Sequence, residues 1–145
     1  MSEQPTLEAI RANTAAMNTQ VMEDYADTFT EDAVWEDDAL PAPAVGRAAV
    51  VQTMVGFYAA FPDLHFDVER EFASGDQAAV CWRVTGTHRG EFGGLPPTGR
   101  RLEYHACGIM QIRDGKIAYV RTYLDTGTIL RQVGVLPGGD EAREP

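Results

Sequence analysis

Basic residues are scarce in this sequence. Twelve lysines and arginines face 22 acidic side chains, a formal net charge of −10 over 145 residues. Such a surface repels phosphate backbones and anionic lipid, so neither nucleic acid nor a membrane is an expected partner. Acidity names no substrate, because solubility alone accounts for it. Cysteine is also rare. Cys81 and Cys107 are the two present, each inside an apolar run and outside any CxxC or Cys/His cluster. They read as small buried hydrophobic residues of a reducing compartment rather than as a disulfide. The three histidines, His65, His88 and His105, lack metal-ligand spacing, so no metal is expected. The glycines around Gly46 and from Gly90 to Gly99 lack the pattern of a phosphate-binding loop, so no nucleotide cofactor is expected either. No apolar run reaches the length of a membrane span, and the acidic start Met1-Ser2-Glu3-Gln4 has no signal-peptide core. The expected location is cytoplasmic.

Apolar residues make up 44% of the chain, enough for one domain with a core of its own. That domain is expected over residues 1–136, followed by a disordered tail over 137–145 with Gly138-Gly139 and mixed charges. Leu7, Ile10, Met17 and Val21 recur at helical spacing, with a break near Asn18-Thr19. A second helix carries Val21, Met22, Tyr25 and Phe29. A short extended piece, Ala33 to Asp37, precedes a proline-rich loop. A third helix, Arg47 to Phe61, presents Val50, Met54, Phe57, Tyr58 and Phe61 and stops before Pro62. The remainder reads as strand. Phe66, Val68 and Phe72 alternate with Asp67, Glu69 and Glu71, and Ala78, Val80, Trp82 and Val84 mark a second strand ending near His88. A third strand runs from about Arg100 to Arg113, Asp114-Gly115 makes a hairpin turn, and a fourth runs from Lys116 to Leu124. A short helix with Ile129, Leu130 and Val133 ends the domain. The class is therefore α+β, three N-terminal helices on a curved antiparallel sheet.

Alternation sorts the later strands. Leu102, Tyr104, Ala106, Gly108, Met110 and Ile112 face the helices in one, as do Ala118, Val120, Thr122 and Leu124 in the next. His105 faces outward, toward the surface or another subunit. Small Ala106 and Gly108 at the centre of a sheet leave room for a ligand, unless a bulky side chain such as Trp35 or Phe57 fills it. The loop from Arg89 to Gly99, stiffened by Pro96-Pro97, reads as a lid over that space.

Three segments carry a resemblance. They are Gly86-Thr87-His88-Arg89-Gly90-Glu91-Phe92-Gly93-Gly94-Leu95-Pro96-Pro97-Thr98-Gly99-Arg100, Asp114-Gly115-Lys116-Ile117, and Tyr123-Leu124-Asp125 followed by Leu130-Arg131-Gln132-Val133-Gly134. In order and spacing they resemble the SnoaL-like polyketide cyclases and ester cyclases, over roughly residues 6–136. The resemblance implies the cone-shaped nuclear-transport-factor-2-like fold enclosing a ligand pocket, and a homodimer formed through the outer face of the sheet. It implies a cofactor-independent enzyme that closes rings or shuttles protons on a polyketide- or terpenoid-like molecule. The family's general acid and base falls on Thr122, and its supporting Gln and His fall on Ala106 and Gly108. A threonine hydroxyl takes no proton near neutral pH and orients by hydrogen bonding. In the similar limonene epoxide hydrolase the arginine falls on Arg83 and the two aspartates on Thr85 and Thr122. The segment Phe29-Thr30-Glu31-Asp32-Ala33-Val34-Trp35-Glu36-Asp37 resembles ketosteroid isomerase, whose aspartate base falls on Asp37. Its two oxyanion donors fall on Asn13 and Gly108, leaving Tyr25, Tyr58 or Tyr104 as candidate replacements from elsewhere in the cavity.

The resulting expectation assigns chemistry to Asp37, His88, Tyr104 and Thr122. Trp35, Tyr58, Arg83, Ala106, Gly108, Met110 and Val120 are expected to contact a small apolar or aromatic substrate. Asp37 reads equally as a solvated loop acid beside Asp38, and His88 equally as an anchor of its loop. The alternative to an enzyme is a ligand-binding or accessory protein that assists a partner oxygenase.

Overall fold

A computed structural model describes residues 3–137; the tail expected over 137–145 lies outside them except for Pro137. The first helix, α1 (Gln4–Thr19), has Pro5 in its first turn, where the missing N–H costs nothing. It buries Thr6, Ala9, Ile10, Asn13, Thr14, Ala16 and Met17, one helical face that is partly polar. Each polar member has a partner. Thr6 donates to the Gly75 carbonyl at 2.6 Å, Asn13 to the Thr28 hydroxyl at 3.0 Å, and Thr14 accepts from the Trp82 indole at 3.1 Å. The second helix is short, α2 (Met22–Asp27), and Phe29 belongs to the strand that follows, β1 (Phe29–Glu36). A two-residue strand, β2 (Ala44–Val45), and Gly46 at φ 92° lead into α3 (Arg47–Ala60).

Four long strands come next: β3 (His65–Ser74), β4 (Gln77–Thr87), β5 (Arg101–Arg113) and β6 (Lys116–Leu124). The last helix is α4 (Thr126–Gln132). The six strands form one sheet in the order β2-β1-β6-β5-β4-β3. The meander from β3 to β6 is antiparallel, as its alternation and hairpin turns require. The sheet as a whole is mixed, because β1 lies parallel to β6. This corrects the all-antiparallel expectation: β1 reaches β6 by a long crossover, which only a parallel pairing demands.

Two bulges set which side chains meet the helices. Between Val68 and Arg70 the β3–β4 register slips by one residue, so the side of every later β3 residue inverts. Phe72, expected inward, points out and is 61% exposed. Glu71 turns toward α1, where Arg11 meets it at 2.6 Å. The second slip, between Gln111 and Ile112, lets Ile117 join Val120 and Thr122 in the interior.

Two side-chain amides extend the backbone ladder. Asn18 of α1 both donates to and accepts from the backbone of Phe66, at 2.8 Å each way, on the free edge of β3. Gln132 of α4 does the same with Glu103, at 2.9 and 3.0 Å, where β5 has outrun β6. Each satisfies two backbone groups that no strand reaches.

The odd-numbered face of β4 and β5 is turned away from the helices. Arg83 lies there, between Asp67 at 3.3 Å and Glu103 at 3.2 Å, so it does not contact a ligand in the interior. Its neighbours in sequence, Trp82 and Val84, are the inward pair, and alternation leaves Arg83 no path in. His105 is on the same outer face, 3.2 Å from Glu69. Cys81 and Cys107 are half-buried there as well, not core residues.

Candidate active site

Between the helices and the sheet lies a cavity of about 50 Å³, room for a few waters as the side chains stand. Its walls are mostly apolar: Met17, Met54, Phe57, Leu64, Phe66, Trp82, Met110 and Val120 among them. Four polar groups interrupt that lining: Asn13, Tyr25, Tyr104 and Thr122. A tight apolar space with a few placed polar groups is the usual form of a small-molecule site, and flexible methionines let such a space re-form around a guest.

Polar order is greatest where β1 ends against β6. Trp35 and Asp37 alternate with Glu36, so both point inward while Glu36 faces out toward Arg121 at 3.1 Å. Trp35 donates its indole N–H to the Thr122 hydroxyl at 2.8 Å, and that hydroxyl donates to Asp37 Oδ2. Asp37 Oδ1 accepts the Ala39 backbone N–H at 2.8 Å. The result is a buried carboxylate, 8% exposed, held by one donor on each oxygen with lone pairs to spare. Thr122 spends its only proton on Asp37, so it orients the acid rather than exchanging protons itself. Asp37 is thus a fixed acid of the interior, and the solvated-loop reading fails because Thr122 and Ala39 hold it there.

Tyr104 is buried on β5, and its hydroxyl makes no hydrogen bond among the described residues. Burial, and then the negative charge of Asp37, holds its phenol above the usual range, so it stays a donor at any ordinary pH. The Tyr25 ring meets Phe29 edge-on at 5.0 Å, but its hydroxyl makes no hydrogen bond among the described residues, and burial again raises its phenol. The sequence offers Tyr25 beside Tyr58 and Tyr104 as a replacement oxyanion donor, and the structure sets Tyr25 and Tyr104 in the lining; in the sequence Asn13 reads only as a lost donor. The signal lay in α1, where Asn13 continues the inward stripe of Thr6, Ala9 and Ile10.

The structure sets other expected residues apart from the cavity. Tyr58 turns its hydroxyl onto the Met17 carbonyl at 2.7 Å and is half-buried between α3 and α1, with its phenol pushed up to about 12 by burial. Gly108 makes no pocket. A Cβ there would lie 2.8 Å from the Trp82 ring, so the small residue admits the indole of the neighbouring strand. Ala106, Met110, Val120 and Trp35 do line the cavity. His88 is fully buried but lies outside the lining. Its Nδ1 accepts the Thr98 N–H at 3.2 Å and sits 2.9 Å from the Thr98 hydroxyl, which fastens the loop from Arg89 to Gly99. Its Nε2 has no hydrogen-bond partner among the described residues.

None of that loop's residues lines the cavity; the loop packs behind its wall, against Phe57. Arg89 and Gly90 both donate to the Ala60 carbonyl, at 3.0 and 3.1 Å. Phe92 then lies 6.1 Å from Phe57 and 5.1 Å from Phe61, and Phe57 stacks at 6.0 Å on Trp35. An aromatic row therefore runs from the loop to the residue that braces Thr122.

The family model for SnoaL-like polyketide cyclases matches residues 7–133. The chain belongs to the SnoaL-like polyketide cyclase family. Among solved structures, AclR of Streptomyces galilaeus, described as a candidate hydroxylase, is 28% identical with a TM-score of 0.84, over 98% of this chain and 88% of AclR. IdmH of Streptomyces antibioticus, described as a candidate polyketide cyclase, is 30% identical with a TM-score of 0.78, over 89% of this chain and 98% of IdmH. A SnoaL-like protein of Jannaschia sp. CCS1 has the same fold, with a TM-score of 0.84 at 19% identity, over 92% of this chain and 94% of that one. The cone-shaped α+β fold expected from sequence is the fold of this family.

Proposed function

We propose that this member of the family moves a proton on carbon beside a carbonyl group of a small, largely apolar substrate, with Asp37 as the base. One observation carries the reading. The buried Asp37 carboxylate is fixed by Ala39 and by Thr122, and Thr122 lines an apolar cavity that holds the unengaged phenol of Tyr104; Asp37 itself stands directly behind that wall. Removal of a proton next to a carbonyl puts charge on the carbonyl oxygen, and a neutral phenol stabilises that charge by donating to it. The resulting enolate either closes a ring on a second carbonyl or takes the proton back at another carbon. Both outcomes suit a polyketide- or terpenoid-like intermediate and need no cofactor. Trp35, Ala106, Met110 and Val120 supply the apolar contact, and Thr122 is a positioning residue.

The cavity is smaller than such a substrate, so side chains of its wall, such as Met17, Met54 and Met110, must shift for binding. A suitable probe is 2-tetralone, an apolar ketone with exchangeable protons, held in D₂O with the protein and followed by NMR. Label incorporation by the wild type that disappears in Asp37→Asn supports the reading. Binding without exchange supports instead a carrier or an accessory to a partner oxygenase, a reading favoured by the threonine at position 122. A homodimer belongs to this proposal too and is tested by light scattering.

A further inference from the structure

Cys81 of β4 and Cys107 of β5 are direct register partners on the outer face of the sheet. Their Sγ atoms lie 3.0 Å apart, and both are free thiols. Directly opposed residues of an antiparallel pair have Cα atoms about 4.5 or 5.5 Å apart. Both separations fall inside the range of roughly 4.4–6.8 Å that a disulfide spans. The two side chains leave the same face, so a bond requires the sulfurs to turn, not the strands to move. The hydrogen bond between the two sulfurs, and then burial, push the Cys107 thiol up to about 11. On the other side of Cys81, Arg70 of β3 stands opposite it and forms no ion pair among the described residues. The thiol pair thus adjoins a cation that has no ion-pair partner among the described residues.

We propose that Cys81 and Cys107 form a reversible redox site, which a small anionic disulfide such as oxidised glutathione converts to a cross-strand disulfide. The Cys81 sulfur attacks one sulfur of the reagent, breaking its S–S bond and releasing one glutathione thiol. The Cys107 sulfur then attacks the Cys81 sulfur of the mixed disulfide, forming the cross-strand bond and releasing the second thiol. The pair loses two electrons and two protons, and the two glutathione thiols gain them. Arg70 attracts the carboxylates of the reagent. The site lies on the face opposite the cavity, so it is independent of the chemistry proposed there. Because the homodimer proposed above forms through this same face, the reagent reaches the thiols in the dissociated chain.

The test is incubation of the native protein with oxidised glutathione, read by intact mass, thiol titration and a non-reducing gel. Both thiols are expected to be lost together, with no glutathione retained, no linkage between chains and full reversal by dithiothreitol. In Cys107→Ser, Cys81 is expected to retain one glutathione. Arg70→Gln is expected to slow the reaction several-fold with glutathione disulfide and to leave the rate with neutral diamide unchanged. A mixed disulfide that persists in the wild type overturns the proposal. So does a disulfide between chains, or a pair that reacts only after unfolding in urea.

Discussion

Thr122 shows how one side chain changes role with its neighbours. Its hydroxyl accepts from Trp35 and donates to Asp37, so its loss strands two buried groups at once. Thr122→Val, nearly the same shape, is expected to destabilise the domain by about 1–3 kcal/mol and to slow chemistry with it. Thr122→Ser keeps the hydroxyl and is expected to recover most of both; thermal melting alongside an exchange assay separates the two effects. Asp125 offers a second residue-scale test. As the N-cap of α4 it accepts from the hydroxyl and the backbone N–H of Thr128, at 2.6 and 3.1 Å. Those bonds hold its carboxyl below the usual range. A carboxyl lowered in the folded state stabilises above its unfolded pKa of about 3.9, and that stability is lost as pH falls through the folded value. Asp125→Asn, itself a good N-cap, is expected to melt like the wild type at neutral pH and to show a flatter loss of Tm below about pH 4. An unchanged acid limb would mean that Asp125 contributes nothing there.

At the scale of elements, the loop from Arg89 to Gly99 depends on Gly90. A Cβ at that position would lie 2.1 Å from the Ala59 carbonyl oxygen, so the loop reaches the end of α3 only because glycine stands there. Gly90→Ala is expected to cost about 1–3 kcal/mol and to free Phe92 from the aromatic row, detectable as faster proteolysis between Arg89 and Arg100. Unaltered proteolysis would show that the loop is held elsewhere. The helix α4 is pinned by a different device, the Gln132 amide on the Glu103 backbone. Gln132→Ala leaves a backbone N–H and C=O to find water and is expected to lower stability by about 1–3 kcal/mol, measured by urea unfolding. Periodicity cannot show either contact. Gln132 reads as one more polar residue of a short helix, and Gly90 as one glycine in a glycine-rich loop. The same holds for the bulge at Val68/Arg70. Alternation assigned Phe72 inward because nothing in composition marks where a strand gains a residue.

Over the whole molecule, local pattern carried far. Helical spacing located α1 and α3, alternation and the Asp114-Gly115 turn located β3 to β6, and the motifs around the loop from Arg89 to Gly99 and the terminal helix named the family. The parallel pairing of β1 with β6 was not legible, since it depends on a partner more than 80 residues away. The site divided along the same line. Ala106, Met110 and Val120 were readable from strand register. Gly108 was not, because its space belongs to Trp82; Arg83 was lost to acids on the outer face and Tyr58 to the Met17 backbone carbonyl. What joins Asp37 to Thr122 is tertiary contact between strands far apart in sequence, so the chain alone could supply only the residue types. The most direct test of the proton transfer they imply is deuterium incorporation into 2-tetralone by Asp37→Asn beside the wild type, each checked for melting temperature and ketone binding. A fall of about 10²-fold or more with folding and binding retained is predicted for loss of a general base. Equal rates in the two proteins would contradict it.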